Sequence, residues 1–273
     1  MLINGIESDH INALDRGLAY GDGLFTTIKV EYGVVQLWDF HLQRLTLGAN
    51  KLFFPKVDWQ KLSAEVNQVA SLLAKYPNYV LKIILTRGSG GRGYSAQGCD
   101  LAIRIISSSA YPDFYSDWQK DGVDLILCES TLSSNKQLAG LKTLNRLEQV
   151  LIKKELESKQ AVEGIVCNDN SYVIEGCSAN LFMYLDGVWQ TPKLDNSGVA
   201  GVQRRNILTL AKADGIDIIE SNIHKDKMFE VKGICLSNAL MGIVPVKTYQ
   251  GNPLNLEICK TLQLLMMPGV TKK

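Results

Sequence analysis

The β-rich runs of this chain come in groups rather than one after each helix. Residues 24–30 turn through Glu31-Tyr32-Gly33 into 34–37, a hairpin signature, and 79–86 and 101–106 follow two helical stretches. In the second half, 123–128, 164–167, 172–182, 216–219 and 233–237 read as strands, with Asp186-Gly187 as another hairpin turn. A doubly wound parallel sheet needs strand and helix in alternation. Grouped strands instead predict an α+β fold with mostly antiparallel or mixed sheets. The stretch Ser107-Ser108-Ser109 to Asp117, with Pro112, punctuates the pattern. It predicts an N-terminal α+β domain over 1–108, a linker over 109–117 and a C-terminal α+β domain over 118–273.

Helical spacing fills the gaps. Asp39 is placed to cap a helix over 40–52, on which His41 and Arg44 share a face. Asp58 begins another, with Leu62, Val66, Val69 and Leu73 on its apolar side. Leu144, Leu147, Val150 and Leu151 predict a helix from Asn145, with Asn145 as cap and Glu148 as reciprocal partner. Gly201-Val202-Gln203 opens a helix bearing Ile207, Leu210 and Ala211, and a last helix covers 254–266.

Charge excludes some functions. The chain has 29 Lys plus Arg against 28 Asp plus Glu, so no overall field draws nucleic acid or an anionic membrane. No apolar stretch is long enough to span a bilayer. Met1 to Glu7 shows no basic region leading into an apolar run, so no secretory signal is read there. The six cysteines have no short paired spacing, which argues against a zinc site or a disulfide framework and for a reducing, cytoplasmic compartment. Three scattered histidines argue against a His-based metal site or a Ser-His-Asp triad, which only convergence in the fold could assemble.

Five features can carry chemistry. Lys142 follows Gly140 on an apolar-flanked loop, where desolvation would favour a nucleophilic amine. Glu175 ends a β-rich run and is followed by small residues. The Gly201 turn offers the free N–H groups of a helix start, suited to phosphate. Arg44 could add a fixed cation to such an anion. Arg87 and Arg92 lie on a Gly-rich loop and suit carboxylates, since a guanidinium fork matches that geometry. That loop matches neither nucleotide-binding glycine pattern. Taken singly, each residue also reads as an ordinary solvated side chain.

In chain order, Lys142, Glu175-Gly176-x-Ser178-x-Asn180 and Gly201-Val202-x-Arg204 resemble the fold type IV pyridoxal-phosphate enzymes. So do Asp15-Arg16-Gly17, Tyr20-Gly21-Asp22-Gly23-Leu24-Phe25 and His41-Leu42-x-Arg44-Leu45 before them. That family holds D-amino acid and branched-chain aminotransferases and the aminodeoxychorismate lyases. The segments 86–95, Asn145-Arg146-Leu147-Glu148-Gln149 and Ser237-Asn238-Ala239-Leu240-Met241 are most similar to the lyases. The resemblance implies two domains with the cofactor, pyridoxal 5'-phosphate, at their interface. It implies Lys142 as Schiff-base lysine, general base and proton donor, and Glu175 facing the pyridine nitrogen. Arg44, Ser178, the N–H groups of Val202 and Gln203, and the Asn238-Ala239 turn would hold the phosphate. Many aminotransferases of this fold carry Thr where Gln203 stands, so only its backbone contact is implied. Arg87 and Arg92 would bind carboxylates of 4-amino-4-deoxychorismate, which is converted to 4-aminobenzoate and pyruvate for folate synthesis. A homodimer is also implied. An aminotransferase for D-amino or branched-chain amino acids, and a non-catalytic anion-binding module using the arginine loop, are the alternatives.

Overall fold

Strand β3 (Gly23–Glu31) buries Leu24, Thr26, Ile28 and Val30 on one face, the period-two pattern of a half-covered strand. The structure, a computed structural model, describes residues 1–266. The last residues of the expected C-terminal domain lie outside that range. Two compact units are present. One holds Met1–Pro112 with Leu141–Asn145, the other Asp113–Gly140 with Arg146 onward.

In the first unit, β1 (Leu2–Ile3), β2 (Ile6–Glu7), α1 (Arg16–Tyr20) and β3 are followed by β4 (Val34–Val35), α2 (Trp38–Lys51) and α3 (Trp59–Leu72). The strands β5 (Asn78–Thr86) and β6 (Ile103–Ala110) complete it. Its six-stranded sheet runs β2-β1-β6-β5-β3-β4, antiparallel throughout. Tyr32 and Gly33, both at positive φ (46° and 81°), make the tight β3–β4 turn. Leu45 and Ala49 of α2 and Leu62, Val66 and Ala70 of α3 pack with Ile28, Leu81, Ile83 and Ile106 of the sheet. Each such fully buried aliphatic side chain contributes about 1.5–3 kcal/mol over leaving it in water. Asp58 caps α3, accepting from the Lys61 N–H at 2.9 Å. On that helix Glu65 meets Arg104 of β6 in a buried two-point pair at 2.6 and 3.0 Å.

In the second unit, α4 (Tyr115–Asp121), β7 (Val123–Leu127), α5 (Leu147–Ser158), β8 (Glu163–Cys167), β9 (Val173–Gly176) and β10 (Asn180–Leu185) come first. They are followed by β11 (Val188–Pro192), α6 (Val202–Ala213), β12 (Ile218–Ser221), β13 (Gly233–Asn238), β14 (Gly242–Tyr249), β15 (Asn252–Pro253) and α7 (Leu256–Leu264). Its nine-stranded sheet is ordered β12-β11-β10-β13-β14-β7-β8-β9, with β15 on β14. Parallel pairs at β11–β12, β14–β7 and β7–β8 make it mixed. Leu181, Met183, Ile234, Leu236, Val244 and Val246 fill its centre.

Two local expectations are corrected. The serine-rich stretch is strand as far as Ala110, since Ser107 to Ser109 pair with Lys82 to Val80 of β5. Helix α5 starts at Leu147 without a side-chain cap. Asn145 instead donates to Gly21 O at 3.2 Å, and Glu148 accepts from Ser133 N at 2.9 Å. Among the described residues no helix is long and apolar enough to cross a membrane, and no cluster of His, Cys, Asp or Glu could hold a metal ion.

Candidate active site

In the first unit Lys142 is held as part of the sheet. Phe25 N donates to Lys142 O at 2.9 Å, Leu144 N to Gly23 O at 3.0 Å, and Thr143 bridges Leu24. The Lys142 ammonium lies 4.5 Å from the centre of the Phe25 ring, a cation–π contact. A short ladder on β3 thus fixes this lysine where sequence showed only a loop.

Beside it, a buried polar chain runs between α2 and β3. Arg44 Nη2 donates to Thr26 Oγ1, and Thr26 Oγ1 lies 2.6 Å from His41 Nδ1. Arg can only donate. The Thr26 hydroxyl therefore accepts from Arg44 and shares a second hydrogen bond with His41 Nδ1. Burial, then the charges of Arg44 and Lys142, hold the His41 pKa well below its usual value, so the ring is neutral. His41 Nε2 is buried without a hydrogen-bond partner among the described residues.

In the second unit Glu175 sits near the end of β9, 6% exposed. Its Oε2 accepts the Val199 N–H at 2.8 Å. Gly198 makes this possible. It adopts φ +83°, and a Cβ there would lie 2.6 Å from Ile174 Cγ2 and 3.3 Å from Glu175 Oε2. Gly140 pairs with Gly198 and Ala200 on the same turn, and Asn180 Nδ2 holds Val199 O at 2.9 Å. The turn ends at Gly201, whose successors Val202 and Gln203 present the first N–H groups of α6, with no intrahelical acceptor. The Gln203 side chain turns away, donating to Met266 Sδ at 3.0 Å. Arg204 is likewise internal, bound to Thr191, Pro192 O and Glu220.

Ser178 and Asn238 meet. Asn238 Nδ2 donates to Ser178 O at 3.2 Å, while its Oδ1 accepts from Leu240 N and Met241 N at 2.9 Å each, shaping the turn that contains Ala239. The preceding Ser237 Oγ is buried without a partner among the described residues. The Ser178 hydroxyl donates to Glu163 at 2.6 Å.

Glu163 escaped the sequence reading, and Arg146 entered it only as part of the lyase-like segment, without a role. Glu163 accepts from Gly164 N, Cys177 N, Ser178 N and Ser178 Oγ, so one buried carboxylate shapes the segment that follows Glu175. Burial pushes its pKa up against the pull of those four donors. The only trace in sequence is an acid opening a strand in which all five residues are buried. Burial lowers the pKa of Arg146, while Glu175 and Glu148 pull the other way. Arg146 thus lies in the field of Glu175.

The two loop arginines differ. Arg87 is buried and gives Nε to Asp22 at 2.7 Å, Nη1 to Phe53 O at 2.7 Å and Nη2 to Leu52 O at 2.7 Å, with its guanidinium 4.7 Å over the Phe54 ring. It is spent on internal contacts. Arg92 is exposed.

The chain is similar to known proteins over most of its length. The model of the family described as amino-transferase class IV matches residues 23–249. An aminodeoxychorismate lyase of Vibrio harveyi is 35% identical over 244 residues, 89% of each chain. A 4-amino-4-deoxychorismate lyase structure from Pseudomonas aeruginosa superposes with a TM-score of 0.91 at 34% identity, covering 99% of each chain. A putative branched-chain-amino-acid aminotransferase of Methanocaldococcus jannaschii is 26% identical over 90% of this chain and 84% of its own. The chain belongs to the class IV aminotransferase family.

Proposed function

We propose that this protein is a pyridoxal-phosphate-dependent lyase that splits 4-amino-4-deoxychorismate into 4-aminobenzoate and pyruvate. Class IV aminotransferases and their lyase relatives depend on pyridoxal 5'-phosphate. The residues present suit that group. A sheet-anchored lysine offers an amine, a buried Glu175 offers a carboxylate for a protonated ring nitrogen, and Arg44 with the start of α6 offers donors for a phosphate. Two buried polar atoms without internal partners, His41 Nε2 and Ser237 Oγ, are further support. When bound, the cofactor supplies an electron sink conjugated to the substrate amine.

In this reading Lys142 would anchor the cofactor, be freed when the substrate amine takes its place, and then take the proton from the substrate carbon bearing nitrogen. Cleavage of the carbon–oxygen bond to the enolpyruvyl group follows, and Lys142 returns a proton to the departing carbon, giving pyruvate. Atoms balance without water, and the remaining ring becomes aromatic. Glu175 keeps the ring nitrogen protonated, and Arg146 tempers its charge. Arg44, the N–H groups of Val202 and Gln203, and the Asn238-Ala239 turn would hold the phosphate end, while Ser178, whose N–H and hydroxyl both go to Glu163, shapes the adjoining segment. Of the loop arginines, Arg92 carries the substrate-carboxylate role, because the fork of Arg87 is bound within the protein. A second copy of the chain would cover the apolar stripe Leu147, Val150 and Leu151 on α5, which is 79, 61 and 66% exposed. Six free cysteines suit a reducing cytoplasm.

The observation that carries elimination over transamination is likeness over nine-tenths of the chain or nearly so, 35 and 34% to two lyases against 26% to the putative aminotransferase. The test offers the holoenzyme a D-amino acid with 2-oxoglutarate and, separately, 4-amino-4-deoxychorismate. Sustained transamination with no 4-aminobenzoate would establish the aminotransferase instead.

A further inference from the structure

The loop carrying Arg92 is clamped by a single buried side chain, Arg16. Its Nη1 donates to Gly93 O at 3.0 Å and Ser95 O at 3.1 Å, its Nη2 to Tyr94 O at 3.2 Å, and its Nε to Asp22 Oδ2 at 3.0 Å. Three consecutive carbonyls thus converge on one guanidinium that is 5% exposed. The same Asp22 oxygen takes Arg87, so the carboxylate ties the loop's clamp to its root. Arg16 also stacks 4.8 Å over the Tyr20 ring, which in turn meets the Tyr94 ring at 5.8 Å.

The backbone is built for this grip. Ser95 N closes a turn onto Arg92 O at 3.2 Å. Gly91, at φ +72°, lets the chain fold so closely that a Cβ there would lie 1.9 Å from Ser95 O. Arg16 N also donates to Gly88 O, and Asp15 bridges Ser89. Yet Arg92 is exposed and Tyr94 is 92% exposed. An irregular Gly-rich segment is held at both ends and along its far side, while its two large side chains are left to solvent. Ordering a backbone residue costs conformational entropy. Here the fold meets that cost beforehand, and preordered groups bind more tightly than mobile ones.

We infer that Arg16 is a positioning residue for substrate recognition: it locks the turn from Arg92 to Ser95 so that Arg92 and Tyr94 are presented as fixed groups to a carboxylate-bearing substrate. The loop is a preformed arm and not a lid. This inference rests on the substrate role of Arg92 proposed above. Lys in place of Arg16 would keep one charge near Asp22 but could not span three carbonyls, because its donors radiate from one point.

The experiment uses the holoenzyme of Arg16→Gln, Arg16→Lys, Arg92→Ala and the Arg16→Gln/Arg92→Ala double variant. Steady-state kinetics are paired with brief trypsin digestion read by mass spectrometry at the Arg92–Gly93 bond. Arg16→Gln should raise KM about tenfold with kcat within about twofold, equivalent to one lost positioned contact, and cleavage after Arg92 should quicken severalfold. Arg16→Lys should fall between. In the Arg92→Ala background Arg16→Gln should raise KM far less, through Tyr94 alone, since Arg16 and Arg92 act as one unit. If Arg16→Gln does not fold, Gly91→Ala, which forces the turn open without touching Arg16, should give the same KM rise and the same cleavage. Unchanged protection of the Arg92–Gly93 bond overturns the clamp. A full KM effect of Arg16→Gln in the Arg92→Ala background overturns its action through Arg92. An unchanged KM in Arg92→Ala overturns the substrate role itself.

Discussion

The carboxylate of Glu175 and the backbone N–H of Val199 are joined at 2.8 Å, and this bond ties the end of β9 to the turn that launches α6. One side chain therefore both shapes the helix start and places a buried carboxyl group beside it. Glu175→Gln keeps the shape and an acceptor but removes the charge. The variant should fold with an unfolding midpoint close to that of the parent, yet lose on the order of 100-fold in kcat, the scale of one removed electrostatic partner. Calorimetry and steady-state rates check both halves.

Gly198→Ala attacks the same relationship from the backbone. The residue sits at φ +83°, and the new methyl would meet Ile174 Cγ2 at 2.6 Å. A cost of about 1–3 kcal/mol is expected, together with weaker cofactor retention as Glu175 is displaced. Urea unfolding and equilibrium dialysis of the cofactor give the two numbers.

Much of this architecture was legible locally. Tyr32-Gly33 and Asp186-Gly187 adopt the positive φ that their dipeptides announce, Asp58 caps α3, and Gly201 opens α6. These signals act over four residues or fewer. What was not legible acts over long separations. Asn145 and Glu148 have the spacing of a capping box, but Gly21 and Ser133 claim their side chains. Lys142 looked like a loop residue because its ladder partner, β3, lies far earlier in the chain. Arg87 looked available on a Gly-rich loop, and only the fold shows Asp22, Leu52 and Phe53 occupying it. Glu163 is one acid at the head of an apolar strand, and its donors come largely from residues 177 and 178.

Acid should weaken the protein partly through His41. Its folded pKa lies below the ordinary 6.5, because burial and the charges of Arg44 and Lys142 oppose protonation. As pH falls through about 6.5 the unfolded chain binds a proton that the folded one refuses. This contribution to stability is full above that pH and is lost toward the folded pKa, at no more than about 1.4 kcal/mol per pH unit. Glu163 runs the opposite way, since its folded pKa is raised above 4.5. Denaturant titrations of the parent and of His41→Asn between pH 8 and pH 5 isolate the histidine, and the variant should show the shallower decline.

In the first unit, Glu65 and Arg104 form a pair whose side chains are 9 and 10% exposed. The hydrogen bond from Arg104 to Glu65 raises the arginine's pKa further. Glu65→Ala would leave that guanidinium buried without its carboxylate, at a cost of about 3–5 kcal/mol. A urea midpoint unchanged by the substitution would show that water or another acid takes over.

The central claim is that the Lys142 amine drives elimination from 4-amino-4-deoxychorismate. Its most direct test is product stoichiometry for the parent and for Lys142→Ala, both loaded with pyridoxal phosphate. The parent should release 4-aminobenzoate and pyruvate in equal amounts, and Lys142→Ala should release neither while losing the borohydride-sensitive absorbance of the bound cofactor. Equal product release by Lys142→Ala, or a parent that makes no 4-aminobenzoate, would contradict it.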